Sequence, residues 1–522
     1  MSFQIIAARH PHDKDFPRAH GVNVRLSLLN GTFYSYQPYP FHQEYAGNEY
    51  IPLHDRAPNT HTGTNQLRTV IDDHVSMLFG DGHFPEVDTA NAVVRKATKD
   101  FIKDVGLVER MREAARLGSV GSVGIHLKVL QRPGGPARMF VDVHTTAYLT
   151  PEYDEYAPDT LIKVTELYKV RGERVRELGY SVPDDSLQAL WFVQRVWDEL
   201  GEWWFVPWKV EDQARSDRPH VPVIDHDKSV THELGFCPWV WIGGLNTEID
   251  GPCTFDAGIE EAIQLDMLDS QIGRALKYTM DPTLLMLVPS AVPMMAAPVT
   301  GETTESAGQT PTGQGMAKTP STVLTMDAEG DAKYLEIAGG GIEAASAYIK
   351  RQKSNLIETL HGDRVNPEEV TQGHQGAKSL EMLNSSLLMH TEKLRVTYGE
   401  GALLRLLRMA LKVMTTVSVT MNEEIAVVTG GWTDLALRWG DFYPLTPSDE
   451  DQTATALKSL IETGIISKET ATKIVASHYD IENVAEERAK VEKEQAAADL
   501  RAQAQAEHAA KIAPVKSSGI KD

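Results

Sequence analysis

The spacing of apolar residues changes along the first 250 residues from a helical to a strand-like period. Residues 65–81 carry an apolar residue every three or four positions, and residues 89–120 repeat this pattern in two segments broken near Gly106. Residues 123–130 and 137–144 then alternate apolar and polar positions around a Pro-Gly-Gly turn, which is typical of a β-hairpin. Further strand-like runs occupy residues 160–170, 189–200 and 202–210. Helices followed by a β-rich layer predict an α+β fold.

Residues 256–281 predict one long helix between two prolines. Asp256 is the expected N-cap, and the residue before Pro282 is disfavoured in helical conformation, so the helix should end there. One apolar stripe recurs at spacings of three to four, through Ile259, Ile263, Met267, Leu268, Ile272 and Leu276. On this segment alone, an ordinary surface helix of a globular enzyme is the simplest interpretation.

A second long helix is expected at residues 342–361, with Gly362 as its C′ residue. Between the two helices lies an insertion of small, Pro- and Gly-rich character, in which STVLTMDA and AKYLEIA predict a second hairpin. The helices therefore suggest a stalk, and the insertion suggests a tip. Residues 1–60 show weak periodicity and predict an extended arm, whereas 377–415 predicts a third helix that Gly399 and Gly401 could kink.

The composition of the chain argues against several classes of protein. The chain has 522 residues, which is typical of several domains, and a formal charge of −22, so its outer surface should not bind nucleic acid non-specifically. Its two cysteines, Cys237 and Cys253, argue against a disulfide framework and a cysteine metal site. The start of the chain has no apolar run of signal-peptide length, and the longest apolar stretch, 284–299, is too short and too broken by prolines to span a membrane. The protein is therefore expected to be soluble and intracellular.

Catalytic motifs are missing from the sequence. The string from Gly373 to Ser379 has the wrong spacing for a phosphate-binding loop, and no HExxH pair occurs. Asp225, His226 and Asp227 could hold a metal ion, although such a triplet is more often solvated surface. The sequence therefore predicts no catalytic residue, no cofactor and no metal, and it favours a protein that is not an enzyme.

The order of several strings resembles one family, the portal proteins (head-to-tail connectors) of tailed double-stranded DNA bacteriophages. The resemblance covers about residues 65–495 and departs from the family pattern in the arm before residue 60 and in the Gly/Thr-rich loop at 300–320. It rests on VSMLFGD, REAARLGSVGSVGIHLKV, HELGFCPWVWI, FDAGIEEAIQLDMLDSQIGRALKYTMDPTLL, AKYLEIAGGGIEAASAYIKRQKSNLIETLHG, GAKSLEMLNSSLLMHTEKLR and LKSLIETGIISKETATKIV.

The resemblance implies a multi-domain α+β portal fold that forms a ring, with an α/β wing, a helical stem pair, a small β-containing clip and an α-helical crown. It assigns residues 1–64 to an N-terminal arm, 65–255 to the wing, 256–281 to stem helix 1, 282–340 to the clip, 341–362 to stem helix 2, 363–376 to the tunnel loop, 377–444 to the kinked wing helix and the segment after it, and 445–522 to the crown and a C-terminal helical tail.

The resemblance also implies the function. Twelve subunits would form a ring at one capsid vertex, the channel for double-stranded DNA during packaging and ejection. The expected partners are the terminase large subunit, a head-completion or tail adaptor protein, the major capsid protein and a scaffold protein, with no membrane. The ring would reside in the virion, and in the host cytoplasm during assembly. A connector of a gene-transfer or other phage-like particle is the alternative.

Two sets of residues follow from this family assignment. Packing between stem helices and subunits is expected of Ile259, Ile263, Met267, Ile272, Leu276, Ile342, Ile349 and Leu356. Contact with DNA in the channel is expected of Arg364, Asn366, Gln372, His374, Gln375, Lys378, Lys350, Arg351 and Lys353. Residues 341–378 carry five basic and five acidic side chains, a balance that avoids tight phosphate binding. A solvated helix face explains Lys350, Arg351 and Lys353 equally well, and a plain surface loop remains the alternative for 363–376.

Overall fold

A computed structural model describes about three quarters of the chain. The described residues are 2–36, 64–132, 135–211, 221–243, 248–279, 283–288, 324–327, 332–335, 340–362, 377–421, 424–426, 428, 430, 433–443, 447–467, 470–471, 489–491, 493–498, 500–501 and 503–505. The chain divides into two compact units, Met1–Glu369 with Glu381–Phe442, and Val370–Leu380 with Tyr443–Asp522. Helices and sheets both contribute, as expected for the α+β class.

The elements before residue 250 are, in chain order, α1 (Phe3–Ala7), α2 (Pro17–Leu29), α3 (Gln66–Phe79), β1 (Glu86–Asp88), α4 (Ala92–Asp104), α5 (Leu107–Gly118), β2 (Val123–Arg132), β3 (Gly135–Thr145), β4 (Leu149–Tyr153), β5 (Leu161–Arg171), α6 (Gly172–Glu177), β6 (Leu190–Trp197), β7 (Gly201–Phe205), β8 (Trp208–Lys209), β9 (Ile224–Thr231) and β10 (Trp239–Ile242). Short 3-10 turns lie at Phe33–Tyr36 and Asp184–Ser186. Gly106 separates α4 from α5 with a φ of 60°, as the sequence predicted.

The later elements are, after a 3-10 turn at Asp256–Gly258, α7 (Ile259–Thr279), β11 (Thr283–Val288), β12 (Leu324–Asp327), β13 (Ala332–Leu335), α8 (Gly340–Thr359), α9 (Ala377–Leu383), α10 (Ser385–Leu394), a π-helical segment (Arg395–Leu403), α11 (Leu404–Thr416), β14 (Val419–Met421), β15 (Glu424–Ala426), β16 (Ala436–Arg438) and α12 (Pro447–Glu462). The π-helical segment contains both glycines at which the sequence predicted a kink. Gly399 is required there, because a Cβ at this position would lie 2.5 Å from the Trp439 ring.

Two sheets form the β-layer of the first unit. The five-stranded sheet has the order β10-β2-β3-β14-β15, and the six-stranded path β4-β5-β6-β7-β9 carries β8 beside β6. Val123, Ile125 and Leu127 of β2 are buried in the main core, which includes the buried side chains of α3, α4 and α5. A smaller cluster of Trp197, Trp239 and their neighbours contains side chains from both sheets.

Residues 2–36 do not form the extended arm that the sequence predicted. Helices α1 and α2 place Ile6, Val22 and Leu28 in the main core, and the 3-10 turn after α2 adds Phe33, each less than a tenth exposed. The helical period was hard to recognise because polar side chains lie among the buried ones of α2 and are satisfied by distant partners. The N-terminal segment is therefore part of the fold.

Three local predictions need correction. Asp256 does not cap α7, since it opens the 3-10 turn before that helix and pairs with Arg25 at 3.2 Å. The residue with left-handed backbone after α8 is His361, with a φ of 57°, rather than Gly362. Gly362 instead packs closely against side chains, since a Cβ there would lie 3.1 Å from both Ile357 and Val70.

The predicted second hairpin is also wrong. Strands β12 and β13 do not pair with each other, because β11 lies between them, parallel to β12 and antiparallel to β13. In the central position, β11 forms backbone hydrogen bonds with a strand on each side. Its sequence, TLLMLV, is the most apolar of the three strands. The sequence pattern located the strands, but their pairing depended on a strand about 40 residues earlier.

Arg18 on α2 joins the N-terminal segment to the rest of the first unit. Its guanidinium makes a two-pronged ion pair with Asp250, at 2.6 Å for each nitrogen–oxygen pair, and donates to the carbonyls of Thr146 and Leu149 at 2.5 and 2.8 Å. Ser122 also donates to Asp250. Although burial alone would raise the pKa of Asp250, these hydrogen bonds lower it below its usual value. The carboxylate therefore stays charged where the chain enters the long helix.

Replacing Arg18 with methionine is expected to loosen α2. The variant leaves the half-buried Asp250 carboxylate without its guanidinium partner, and hydrogen bonds to charged groups contribute about 1.5–3 kcal/mol. A loss of about 2 kcal/mol would accelerate amide exchange in Pro17–Leu29 roughly 30-fold, measured by hydrogen–deuterium exchange. The matched control is Arg25→Met on the same helix, whose partner Asp256 is 59% exposed, so exchange should change less than about fivefold. Equal rates of amide exchange in the Arg18→Met and Arg25→Met variants would contradict the role given to the Arg18–Asp250 pair.

Candidate subunit-contact and DNA-contact surfaces

The two long helices α7 and α8 pack most closely at one end. A Cβ on Gly258 would lie 2.7 Å from Leu360 and 2.8 Å from Leu356, so only glycine allows this approach. Near this end Ile259, Ile263, Leu356 and Leu360 are all buried. Along α8 the covered positions recur at spacings of three to four, at Ala345, Ile349, Gln352, Leu356 and Leu360. Helix α8 thus contacts its own chain through one stripe, whereas α7 also buries Ala262 and Leu265 and accepts a hydrogen bond from Tyr34 at Asp266.

The residues that the sequence assigned to stem and subunit packing divide into two groups. Ile259, Ile263 and Leu356 are covered by the same chain, so their apolar surface is already buried in one subunit. Met267 and Leu276 remain 39% and 41% exposed, while Ile272 and Ile349 are partly buried. The side chain of Ile342 lies outside the described residues. Tyr348, which the sequence analysis did not select, is 41% exposed on α8.

The outward face of α8 carries charges of both signs. Lys350, Arg351 and Lys353 are exposed, as a channel lining requires. Glu343 lies seven residues before Lys350, and Glu358 lies seven residues after Arg351, so acidic and basic side chains share one face. This arrangement fits a solvated helix face as well as a surface that DNA slides past.

The predicted loop residues lie outside the described part of the structure. These are Arg364, Asn366, Gln372, His374 and Gln375, and the side chain of Lys378 in α9 is also outside it. The described chain resumes immediately on both sides, at Gly362 and Ala377. The DNA contacts of the loop therefore stay a prediction.

A histidine cluster anchors the start of this loop, and the sequence analysis missed it. His361 follows α8, His74 lies on α3 and His390 lies on α10. The Nε2 atom of His74 is 3.2 Å from the His361 carbonyl, and His361 Nδ1 lies 2.5 Å from the Ser386 hydroxyl. The His390 ring packs on both others, with centroids 4.5 Å from His74 and 5.6 Å from His361. Three separate helices supply these residues, so no local sequence pattern indicates the cluster.

Burial keeps His74 and His390 neutral near pH 7. The pKa of His74 falls to about 4 because of burial and the neighbouring His390, and the pKa of His390 falls to about 4 because of burial and then His361 and Lys393. His74 Nδ1 and His390 Nε2 are buried without a hydrogen-bond partner in the described chain. Protonation would therefore place charge in a poorly solvated junction between α3, the end of α8 and α10.

The triplet Asp225-His226-Asp227 is not brought together as a metal site. It lies within strand β9, where successive side chains point to opposite faces, so His226 faces away from the two aspartates. Asp225 instead accepts a hydrogen bond from the Asp227 amide at 3.1 Å. Among the described residues, a different group meets the spacing for a metal ion, namely His126, Asp142 and His144.

Comparison with known proteins bears directly on the family. Residues 291–500 match a family model described as phage portal protein, SPP1 Gp6-like, which confirms the resemblance to phage portal proteins and supports a phage portal role in the virion capsid. The match includes α8 to α12, whereas α1 to α7 precede it. Among curated proteins, none matches the chain. Within the described residues, every helix is too short or too polar to cross a membrane.

Acidification is expected to weaken the histidine junction. Unfolded histidine titrates near pH 6.5, but His74 and His390 titrate near 4 in the folded chain, so between these values the unfolded state binds more protons. The free energy of opening should therefore fall as the pH falls from 7 to 5, by about 1–2 kcal/mol for each histidine. Amide exchange in Ser385–Leu394, corrected for the intrinsic effect of pH, measures this change.

The matched variants for this measurement are His390→Gln and His226→Gln. The first removes one of the two titrating groups and should reduce the pH dependence. The second removes an exposed histidine on β9 and should leave it unchanged. A pH dependence that is the same in His390→Gln and the unaltered chain would show that the junction does not titrate in this range.

Proposed function

We propose that this relative of the phage portal proteins assembles into a ring of twelve subunits that forms the DNA channel at one capsid vertex. The observation that carries the proposal is the unpartnered surface of the stem pair. Away from Gly258, α7 and α8 leave Met267, Leu276 and Tyr348 about two fifths exposed. Closed rings cover such surfaces by repeating one contact between neighbouring subunits.

The domain organisation proposed from the sequence fits the order of elements. The three-stranded sheet β12-β11-β13 is inserted between α7 and α8, where the small β-containing clip is expected. The two larger sheets and α3 to α5 precede the stem pair, where the wing is expected. One change follows from the packing of α1 and α2. We include residues 2–36 in the wing rather than in a separate arm.

DNA passage requires weak contact with the channel wall. Every additional phosphate contact strengthens binding and its salt dependence, so a wall with many cations would retard a moving duplex. The balanced charges of α8, with Lys350, Arg351 and Lys353 beside Glu343 and Glu358, suit such a wall. The tunnel loop at 363–376 would touch DNA transiently, through Arg364 and its polar neighbours.

The remaining partners follow from the portal role. A separate terminase motor would dock at the clip and hydrolyse ATP, and this chain would not be an enzyme. An adaptor protein would replace the motor once packaging ends, and the major capsid protein would surround the ring. Assembly in the host cytoplasm would precede incorporation into the virion.

The ring can be tested by measuring the mass of the assembly and by introducing charged side chains on α7. Twelve chains of 57.7 kDa give about 692 kDa in light scattering at physiological salt. Met267→Glu combined with Leu276→Glu is expected to shift the protein to monomers and incomplete rings, because burial of an unpaired carboxylate is costly and the cost recurs at each interface. The control Tyr156→Glu, at a residue 96% exposed between β4 and β5, should keep the ring intact. A stable monomer of the unaltered chain would contradict the proposal.

The tunnel loop is tested separately from assembly. Deleting residues 366–373 should leave the ring intact and reduce the DNA packaged or retained per particle, since the loop is expected to contact the duplex. A second variant replaces the same eight residues with Gly and Ser at unchanged length, which distinguishes the side chains from the length of the loop. Particles of the deletion variant that fill and hold DNA at the normal level would exclude a channel role for the loop.

A further inference from the structure

Three metal-ligating side chains meet on one face of the five-stranded sheet, within the first unit. His126 on β2 lies directly opposite Asp142 on β3, and His144 follows two residues later, so all three project from the same face. One ring nitrogen from each histidine and one carboxylate oxygen lie within 4.8 Å of one another. His126 is only 6% exposed, whereas Asp142 and His144 are partly exposed and give access from solvent.

Two tryptophans fix the His126 ring and leave its nitrogens available. Trp239 on β10 stacks on it with ring centroids 4.8 Å apart and planes inclined by 14°, and Trp197 on β6 approaches to 5.5 Å. Stacking covers the ring faces, but the nitrogen lone pairs lie in the ring plane. Within the described chain, no hydrogen bond is found to the ring of His126 or His144. The ring nitrogens of both histidines are therefore available to a ligand from outside the chain.

Gly124 makes room for this arrangement. It lies opposite His144 in the ladder, and a Cβ there would lie 2.9 Å from the Trp239 ring. Trp239 can therefore cover the strand at this point and also contact His144, with ring centroids 5.1 Å apart. The cluster is thus set into a packed aromatic wall between the strands, rather than displayed on an open surface.

The charged side chains around the three residues are compatible with a bound cation. Arg195 is the nearest guanidinium, and it forms ion pairs with Glu166 and Glu202, both at 3.3 Å. Together with Asp142 these give three carboxylates against Arg195 and Lys128. Burial, followed by neighbouring charges, lowers the pKa of both His126 and His144, so both rings are neutral near pH 7. The neutral imidazole is the form that binds metal ions.

We propose that His126, Asp142 and His144 bind a divalent transition-metal ion, with Zn²⁺ as the best-matched ion. Two imidazoles and one carboxylate are ligands that Zn²⁺ accepts, in sites where a water molecule completes the tetrahedron. Bonds of about 2.0–2.1 Å bring tetrahedral ligands to roughly 3.3 Å from one another. Asp142 and His144, which are partly exposed, would rotate inward to reach this spacing, while His126 stays fixed between the tryptophans.

The site would tie the β2–β3 hairpin to the aromatic cluster between the two sheets. Ligation of His126 satisfies a buried polar group, and the two ligands on β3 hold that strand in register with β2. The ion would therefore stabilise the wing without taking part in a reaction. Its loss should lower thermal stability and leave the stem helices unchanged.

The test uses the full-length protein after treatment with a chelator. Co²⁺ serves as an absorbing probe, and Zn²⁺ binding is measured by calorimetry. We expect one ion per chain, a visible Co²⁺ spectrum of low coordination number, and quenching of tryptophan fluorescence by Co²⁺ because Trp197 and Trp239 adjoin His126. Asp142→Asn and His144→Gln are both close in shape to the original side chains. Each should weaken Zn²⁺ binding at least tenfold, because even replacing a residue that only supports a metal ligand typically lowers the affinity by about 10- to 100-fold.

The control is His226→Gln, which removes an exposed histidine beside two aspartates and should bind Zn²⁺ like the unaltered chain. Circular dichroism confirms that each variant keeps its fold. The proposal fails if the unaltered chain binds no stoichiometric Zn²⁺ or Co²⁺. It fails equally if Asp142→Asn and His144→Gln bind with undiminished affinity, because the ion would then be held elsewhere.

Discussion

The ion pair between Arg18 and Asp250 is the contact on which the arrangement of the first unit depends. It joins α2 to the two carbonyls at the start of β4, to Ser122 before β2 and to the residue that leads towards α7. A guanidinium can serve all of these acceptors because its donors lie in one plane at fixed angles. Arg18 therefore links the N-terminal helices, the sheet and the segment before the long helix, beside further contacts such as the ion pairs Arg25–Asp256 and Lys169–Asp13.

The stem pair is well packed at one end and open at the other. Burial is complete around Gly258, Ile259 and Leu356, and it declines towards Met267 and Tyr348. A single subunit can thus define where the helices start and how closely they approach. It cannot cover the rest of their apolar surface. In the proposed ring, neighbouring subunits would cover this surface.

Sequence patterns predicted the structural features that depend only on residues close together in the chain. The alternation in 123–144 located the β2–β3 hairpin, and Gly106 located the break between α4 and α5. Long-range pairing was not predictable in this way, as the position of β11 between β12 and β13 shows. The core role of α2 was missed because Arg18 interrupts its apolar pattern and has its partner 232 residues away. His361 was missed because a left-handed histidine needs tertiary support that no local pattern reports.

The candidate sites were predictable to different degrees. The exposure of Lys350, Arg351 and Lys353 was predictable. Once the apolar stripe of a helix is identified, charged residues off that stripe are expected on the outer face. The loop residues from Arg364 to Gln375 depend on a ring that one chain does not contain. His126, Asp142 and His144 did leave a signal, since alternate residues of a predicted hairpin share a face. Their meeting required the register of that hairpin.

The π-helical segment Arg395–Leu403 sets the phase of the helix before it. A π turn holds one residue more than an α turn, so α10 is rotated relative to the α-helical continuation of α11. An α-helix advances by about 100° per residue. A regular α-helix of the same length in this segment would turn His390 away from His74 by roughly that angle. Loss of one residue here would convert the π turn into an α turn and leave the direction of α10 unchanged, so a one-residue gap across this segment is compatible with the same helix face.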